Sequence, residues 1–322
     1  MKLNIRFKLV DNLCKYLFLS LLPLFFANVY AQMPADGLMM SKGNLCNMLS
    51  YTNSSWESYW EGDTKRTNLN LGTVTTQNVM LMSAYGITDK LNVMLALPYI
   101  WTKSDSYFSG QKGFQDVSLW LKYKALEKET SVGTFSLFAT GGVSTPVSKY
   151  VADFLPFSIG LRSRTASARL VLDFTSNPGF YLTAQAGYTH RSNITIDRDS
   201  YLYKGELFNT NKVFVPNMVD ATVRVGFYHP KFQTDVWLDR FTALDGDDIR
   251  YNDMPFPSNL MQATTVGWFG KYNIKNFAVI GNVSKVMVGK NVGESTNFTL
   301  GVSYIVQVAE KKNNKESLQP EK

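Results

Sequence analysis

Residues 297–308 alternate between two kinds of side chain with almost no break. Phe298, Leu300, Val302, Tyr304, Val306 and Val308 interleave with Asn297, Thr299, Gly301, Ser303, Ile305 and Gln307. A period of two puts successive side chains on opposite faces of a strand, so one face is apolar and the other small or polar. Val117, Leu119, Leu121 and Tyr123 alternate with Asp116, Ser118, Trp120 and Lys122 in the same way. So do Phe180, Leu182, Ala184, Ala186 and Tyr188 against Tyr181, Thr183, Gln185, Gly187 and Thr189, and Ala221, Val223, Val225 and Phe227 against Thr222, Arg224, Gly226 and Tyr228. Strands of soluble proteins run to about five or six residues, whereas a strand that crosses a bilayer needs about nine to eleven. Runs of the longer kind fall at 45–54, 67–86, 91–103, 114–126, 132–145, 158–174, 179–192, 213–228, 232–242, 259–273, 277–289 and 296–308. The pattern predicts an all-β fold, an antiparallel transmembrane barrel of about twelve strands.

The connections sort by length in the way such a barrel requires. Those after the even strands are short: Thr88-Asp89-Lys90, Glu127 to Thr130, Ser176 to Gly179, His229-Pro230-Lys231 and Ile274-Lys275. Most of those after the odd strands are longer and polar, above all 193–212 and 243–258. Short periplasmic turns and long extracellular loops are the habit of outer-membrane barrels. Tyr85, Tyr99, Trp101, Tyr123, Tyr188, Tyr228, Trp268 and Tyr272 stand near strand ends, where aromatic rings form interfacial girdles. A soluble β-sandwich would leave both strand length and loop alternation without a cause.

The N-terminal residues point to export. Lys2, Arg6, Lys8 and Lys15 precede an apolar run from Tyr16 to Phe26, and Val29-Tyr30-Ala31 precedes Gln32. That order of charge, short apolar stretch and small-residue site is expected of a signal peptide, residues 1–31, removed from the mature chain. A periplasmic segment 32–44, the barrel 45–308 and a polar periplasmic tail 309–322 are then expected. Removal of residues 1–31 takes away four Lys/Arg and one Asp and lowers the formal charge from +7 to +4. No basic cluster with interleaved aromatics signals nucleic-acid binding, and Cys46 alone cannot form an internal disulfide. The expected location is the outer membrane of a Gram-negative cell, with lipid and a small solute as partners, a monomeric state and no cofactor.

Inside a barrel, the inward polar residues carry function. By parity these include Asp116, Lys122, Lys124, Gln185, Arg224, Asp235 and Asp239. Ionised groups away from bulk water need partners, so pairs across the lumen are expected. They either fill a narrow barrel with salt bridges or line a conducting or ligand-binding path, since twelve strands fall between small filled barrels and wide porins. Met33, Met39, Met40, Cys46 and Met48 cluster near the mature N-terminus. Thioether and thiolate donors suit Cu(I), but they repeat at no ligand spacing. The reading taken for this stretch is therefore a segment lying in the periplasmic mouth, with no metal assigned.

Two resemblances add to this. Gly187-Tyr188-Thr189-His190-Arg191-Ser192-Asn193 resembles the active-site motif of outer-membrane phospholipase A, a twelve-stranded barrel whose His and Ser lie on the lipid face. That pattern, G-Y-x-H-x-S-N-G-R, holds through Asn193 and is lost at Ile194 and Thr195. It implies His190 and Ser192 as catalytic residues, but a nucleophile pair of this kind needs a third orienting group, and none is identified.

The second resemblance covers more of the chain. Tyr85-Gly86-Ile87-Thr88-Asp89-Lys90-Leu91-Asn92-Val93, Leu97-Pro98-Tyr99, Gly113-Phe114-Gln115-Asp116-Val117 and Leu121-Lys122-Tyr123-Lys124 are similar to motifs of the outer-membrane barrel family named for the meta-pathway of phenol degradation, a relative of fatty-acid transporters. Gln115 stands where a Gly is usual, and the chain ends in a polar tail rather than a Phe. The family implies uptake of small hydrophobic molecules. The function expected is passive passage or binding of a small, hydrophobic solute. A phospholipase-like hydrolase using His190 and Ser192, and a closed structural or surface-interaction barrel, stay open as alternatives.

Overall fold

A computed structural model describes residues 33–251 and 253–308; the expected signal peptide and tail lie outside them. Twelve long strands form the wall: β1 Asn44–Trp56, β2 Val74–Thr88, β3 Leu91–Ser104, β4 Asp116–Thr130, β5 Gly133–Pro146, β6 Thr165–Ser176, β7 Phe180–Arg191, β8 Met218–His229, β9 Phe232–Ala243, β10 Gln262–Ile274, β11 Phe277–Lys290 and β12 Thr296–Gln307. Each pairs antiparallel with the next, and β12 closes on β1 from Asn44↔Gln307 to Ser55↔Thr296. Closure leaves no free edge, which is what allows strands to cross lipid at all.

The sequence alternation becomes an inside and an outside. Leu300, half exposed, faces out with Phe298 and Val302, while Ser303 and Ile305 on the same strand are buried. On the outer face, rings collect at both rims. At the turn end Phe180 packs edge-on against Phe227 with centroids 5.0 Å apart, and Phe277 lies 5.5 Å from Tyr304. At the loop end Tyr99 meets Phe114 at 5.1 Å, and the Trp101 indole donates to Gln77. Tyr228 does not join either rim: it points inward beside Tyr181 and Arg224. Leu300→Arg, near the middle of the outward belt, is expected to cost about 2–4 kcal/mol of folding stability in lipid. Thr299→Arg, one residue away on the lumen side, is expected to cost well under half of that in the same denaturant titration.

Several expected strands ran too far. Residues 67–73, 158–164, 213–217 and 259–261 lie outside the wall, and Thr67 and Val213 instead belong to short loop ladders opposite Ser58 and Ile194. Val213 and Val215 are buried with Ile194, Ile196 and Ala152 in an apolar cluster built by the loops themselves. Ile159 packs with Ile100 and Tyr150 where the 147–164 loop folds down into the barrel mouth. The turn expected at Glu127 to Thr130 is strand to Thr130, extended by a bulge between Lys124 and Leu126.

Candidate functional site in the barrel lumen

The N-terminal segment enters the barrel from the turn end. The Lys42 N–H donates to Asp89 Oδ1 at 3.0 Å, and the Gly43 N–H donates to Gly86 O at 2.9 Å. Gly86 has to lack a side chain, because a Cβ there would come within 2.2 Å of the Ser41 carbonyl oxygen. Deeper in, Lys122 of β4 is fully buried and donates to Asp36 Oδ1 at 2.8 Å, to the Asp36 carbonyl at 2.5 Å and to the Met33 carbonyl at 3.2 Å. Asp36 is held in turn by the N–H groups of Met33 and Leu38. All three ammonium protons and both carboxylate oxygens are used, which a buried pair needs if it is not to cost stability.

One wall, from β6 to β9, is polar. Arg169 grips both oxygens of Asp220 at 3.0 and 2.9 Å. Gln185 reaches Asp220 at 2.9 Å and Thr222 at 2.6 Å, and the Thr222 hydroxyl donates to Asp239. Nearer the turn end, Asp235 is 2% exposed and accepts from Tyr181 at 2.5 Å and from Arg224 at 3.1 Å. Arg169 Nε and Gln185 Oε1 are buried in this network without a further hydrogen bond among the described residues. A cavity of about 180 Å³ lies between this wall and the N-terminal segment, lined by Asp173, Tyr181, Arg224 and Gln233.

Strands β1, β2, β3, β10 and β11 contribute an apolar cluster, beside buried polar Ser50, Asn92 and Lys271. Met48, Met82, Ala96, Phe269 and Ile280 are buried together, with Met33, Met80, Trp120 and Trp237 packed on them. The two indoles fit because each lies opposite a glycine. A Cβ on Gly142 would stand 2.0 Å from Trp120, and one on Gly267 would stand 2.3 Å from Trp237. The Trp237 N–H is satisfied by Asn282 at 3.0 Å.

The expected inward residues divide into separate groups. Gln185 and Asp239 share Thr222, Arg224 and Asp235 form one pair, and Lys122 binds the N-terminal segment instead. Asp116 receives the Tyr150 hydroxyl at 2.9 Å at the loop end. Burial and the Asp116 charge hold the Tyr150 phenol above its usual range. Lys124 sits at the turn end with Glu127. His190 is exposed on the outer face. Ser192 lies past the end of β7, and its hydroxyl accepts from Arg164 N–H at 3.0 Å with Ser163 Oγ at 3.4 Å. The structure therefore does not bring His190 and Ser192 into contact. Arg169, Asp173 and Asp220 follow the same inward parity and were open to the same reading; Asp36 precedes the first strand, where parity assigns nothing, and Trp120 and the Met residues of β2 are not charged.

The outer loops are tied by ion pairs. Lys204 meets Asp245 at 2.6 Å; this hydrogen bond lowers the Asp245 carboxyl from 3.8 and raises Lys204 from 10.5. A depressed carboxyl contributes stability above its unfolded value that is lost as pH falls through the folded value; the raised lysine contributes below 10.5 and loses it above. Tyr201–Tyr203 and Glu206–Phe208 pair as a short hairpin that turns at Lys204, and its amide protection, measured against the unfolded chain at the same pH, is expected to weaken slightly below about pH 3.8, the effect being small because the pair is exposed.

A family model described as "Putative MetA-pathway of phenol degradation" matches residues 64–302. No curated protein matches the chain. Among solved structures, the COG4313 outer membrane channel from Pseudomonas putida F1 superposes with a TM-score of 0.67 at 13% identity, over 86% of this chain and 100% of that one. The NanC porin follows at 0.46 and 8% identity, over 79% and 98%. The CymD monoaromatic hydrocarbon channel gives 0.39 and 11%, over 84% and 90%. The first places the fold among outer-membrane barrels, with short turns on one side and long loops on the other.

Proposed function

Because the chain belongs to the family described as "Putative MetA-pathway of phenol degradation", we propose that it is a monomeric outer-membrane channel for a small, hydrophobic solute, passed without energy coupling of its own. The observation that carries this reading is the mixed lining of the lumen. A cluster of Met, Trp and Phe side chains accompanies a wall of hydrogen-bonded charges, of which Tyr181, Arg224 and Gln233 line a cavity. An apolar body with a polar substituent finds both halves of its solvation there, since thioethers and indoles pack on irregular apolar shapes while the wall supplies directional hydrogen bonds. The long loops and the N-terminal segment occupy the two ends, so entry and exit require one or the other to move. The COG4313 neighbour's name as a channel supports the reading by likeness of fold.

Purified barrel in asymmetric vesicles with a lipopolysaccharide outer leaflet should speed entry of a small apolar ring compound at least several-fold over empty vesicles. A sugar of similar size should gain much less. Equal rates with and without protein for the apolar probe would sink the channel reading.

A further inference from the structure

Six of the chain's twelve methionines and Cys46 converge on the lumen. Met48 of β1 stands directly opposite Met82 of β2 in the ladder, and both are buried. Directly opposed residues of an antiparallel pair have Cβ atoms about 4.5–5.5 Å apart, so two flexible thioethers there can reach one point. Met80, two residues along β2 on the same face, and Met33, brought in by the N-terminal segment, pack on that same cluster. One rung toward the turn end, Met40, Cys46 of β1 and Met94 of β3 are buried together. Met254 and Met287, by contrast, are exposed.

We propose that this lumen binds a soft monovalent cation of the Cu(I) class, through the thioethers of Met33, Met48, Met80 and Met82, with Met40, Cys46 and Met94 forming a second soft-donor group beside it. The argument is one of donor chemistry. Thioether and thiolate sulfur selects Cu(I) over hard ions, and unbranched methionine can turn its sulfur toward a ligand without disturbing the strand that carries it. Trp120 and Trp237 flank the first cluster and offer ring faces on which a cation is also stabilised. Among the described residues no group of three His, Cys, Asp or Glu side chains is placed to hold a metal, so a harder divalent ion has no competing set. The N-terminal segment brings in Met33 and Met40, and the Lys122–Asp36 pair fixes it, which makes both groups complete only while that segment is seated. This binding does not depend on which solute the barrel passes.

The test uses Ag(I), a redox-stable soft cation, in chloride-free nitrate buffer, titrated into the folded detergent-solubilised barrel by calorimetry and native mass spectrometry. Wild type is expected to take up silver stoichiometrically. Met48→Leu with Met82→Leu, which nearly conserves volume, is expected to weaken the first site at least tenfold, while Met287→Leu changes nothing. Retained heat-modifiable migration shows that each variant is folded. Cys46→Ser is expected to keep the first site. Silver uptake that disappears with Cys46→Ser alone, or that is the same in wild type and the Met48/Met82 variant, would overturn the proposal, as would no uptake by wild type.

Discussion

Lys122→Ala is expected to unplug the barrel and destabilise it by about 3 kcal/mol. Removing one partner of a buried ion pair typically costs about 3–5 kcal/mol, because the other charge is left without compensation. Asp36 would keep its two backbone donors, from Met33 and Leu38, which argues for the lower end. The lumen offers a way out that a closed core does not. The 33–42 segment can withdraw toward the turn end and hydrate Asp36, giving up the contacts of Met33 and Met40. Single-channel recording should then show larger or more frequent openings, and a protease added from the turn side should cut the segment faster. Replacing both residues, Lys122→Met with Asp36→Leu, should recover much of the stability, because no buried charge is left alone. A Lys122→Ala barrel with wild-type conductance and wild-type unfolding would mean that the pair does not hold the segment in place.

Asp220→Ala is the second large effect expected, again about 3 kcal/mol, but with the opposite consequence for the lumen. Asp220 takes both bonds of Arg169 and one from Gln185. Without it the guanidinium faces an apolar β8 position, and the nearest remaining carboxylate of this network is Asp239, bound through Thr222. A liberated Arg169 either turns into the lumen or re-pairs with Asp239. In both cases the wall gains positive potential, and ion selectivity in bilayer recordings should shift toward anions. Arg169→Leu with Asp220→Leu should be less destabilised than Asp220→Ala alone, and the double-mutant cycle gives the coupling directly. Simple additivity of the two single changes would show that Arg169 and Asp220 do not act as a pair.

Much of the barrel wall was readable because the pleat is a local property: the face a side chain takes depends on its neighbours along the strand. Asp235, Arg224 and Gln185 were assigned to the lumen on that ground and are found there. Leu300 and Val302 were assigned to the outside on the same ground. The alternation of turns and loops gave the strand number for a similarly local reason, since a two-residue link admits only a hairpin. The misreadings have the same origin. Val213 and Val215 alternate as a strand does, but what they pack on is another loop, and alternation does not distinguish a loop cluster from a barrel wall.

The partners themselves needed the tertiary structure. Lys122 and Asp36 are 86 positions apart, and nothing periodic links a charge on β4 to a segment ahead of β1. Trp120 shares a strand face with Asp116 and Lys122, but only the opposed Gly142 and Gly267 show where the Trp120 and Trp237 indoles lie. The sulfur cluster is the sharpest case. Met33 and Met48 were visible as a methionine-rich stretch near the N-terminus, but Met82 becomes their neighbour only through the β1–β2 register. The sequence alone determined that the chain closes into a membrane barrel and which side chains enter it. Only the closed structure decided which of those side chains meet, because contacts across a lumen join residues whose separation along the chain leaves no mark on its periodicity.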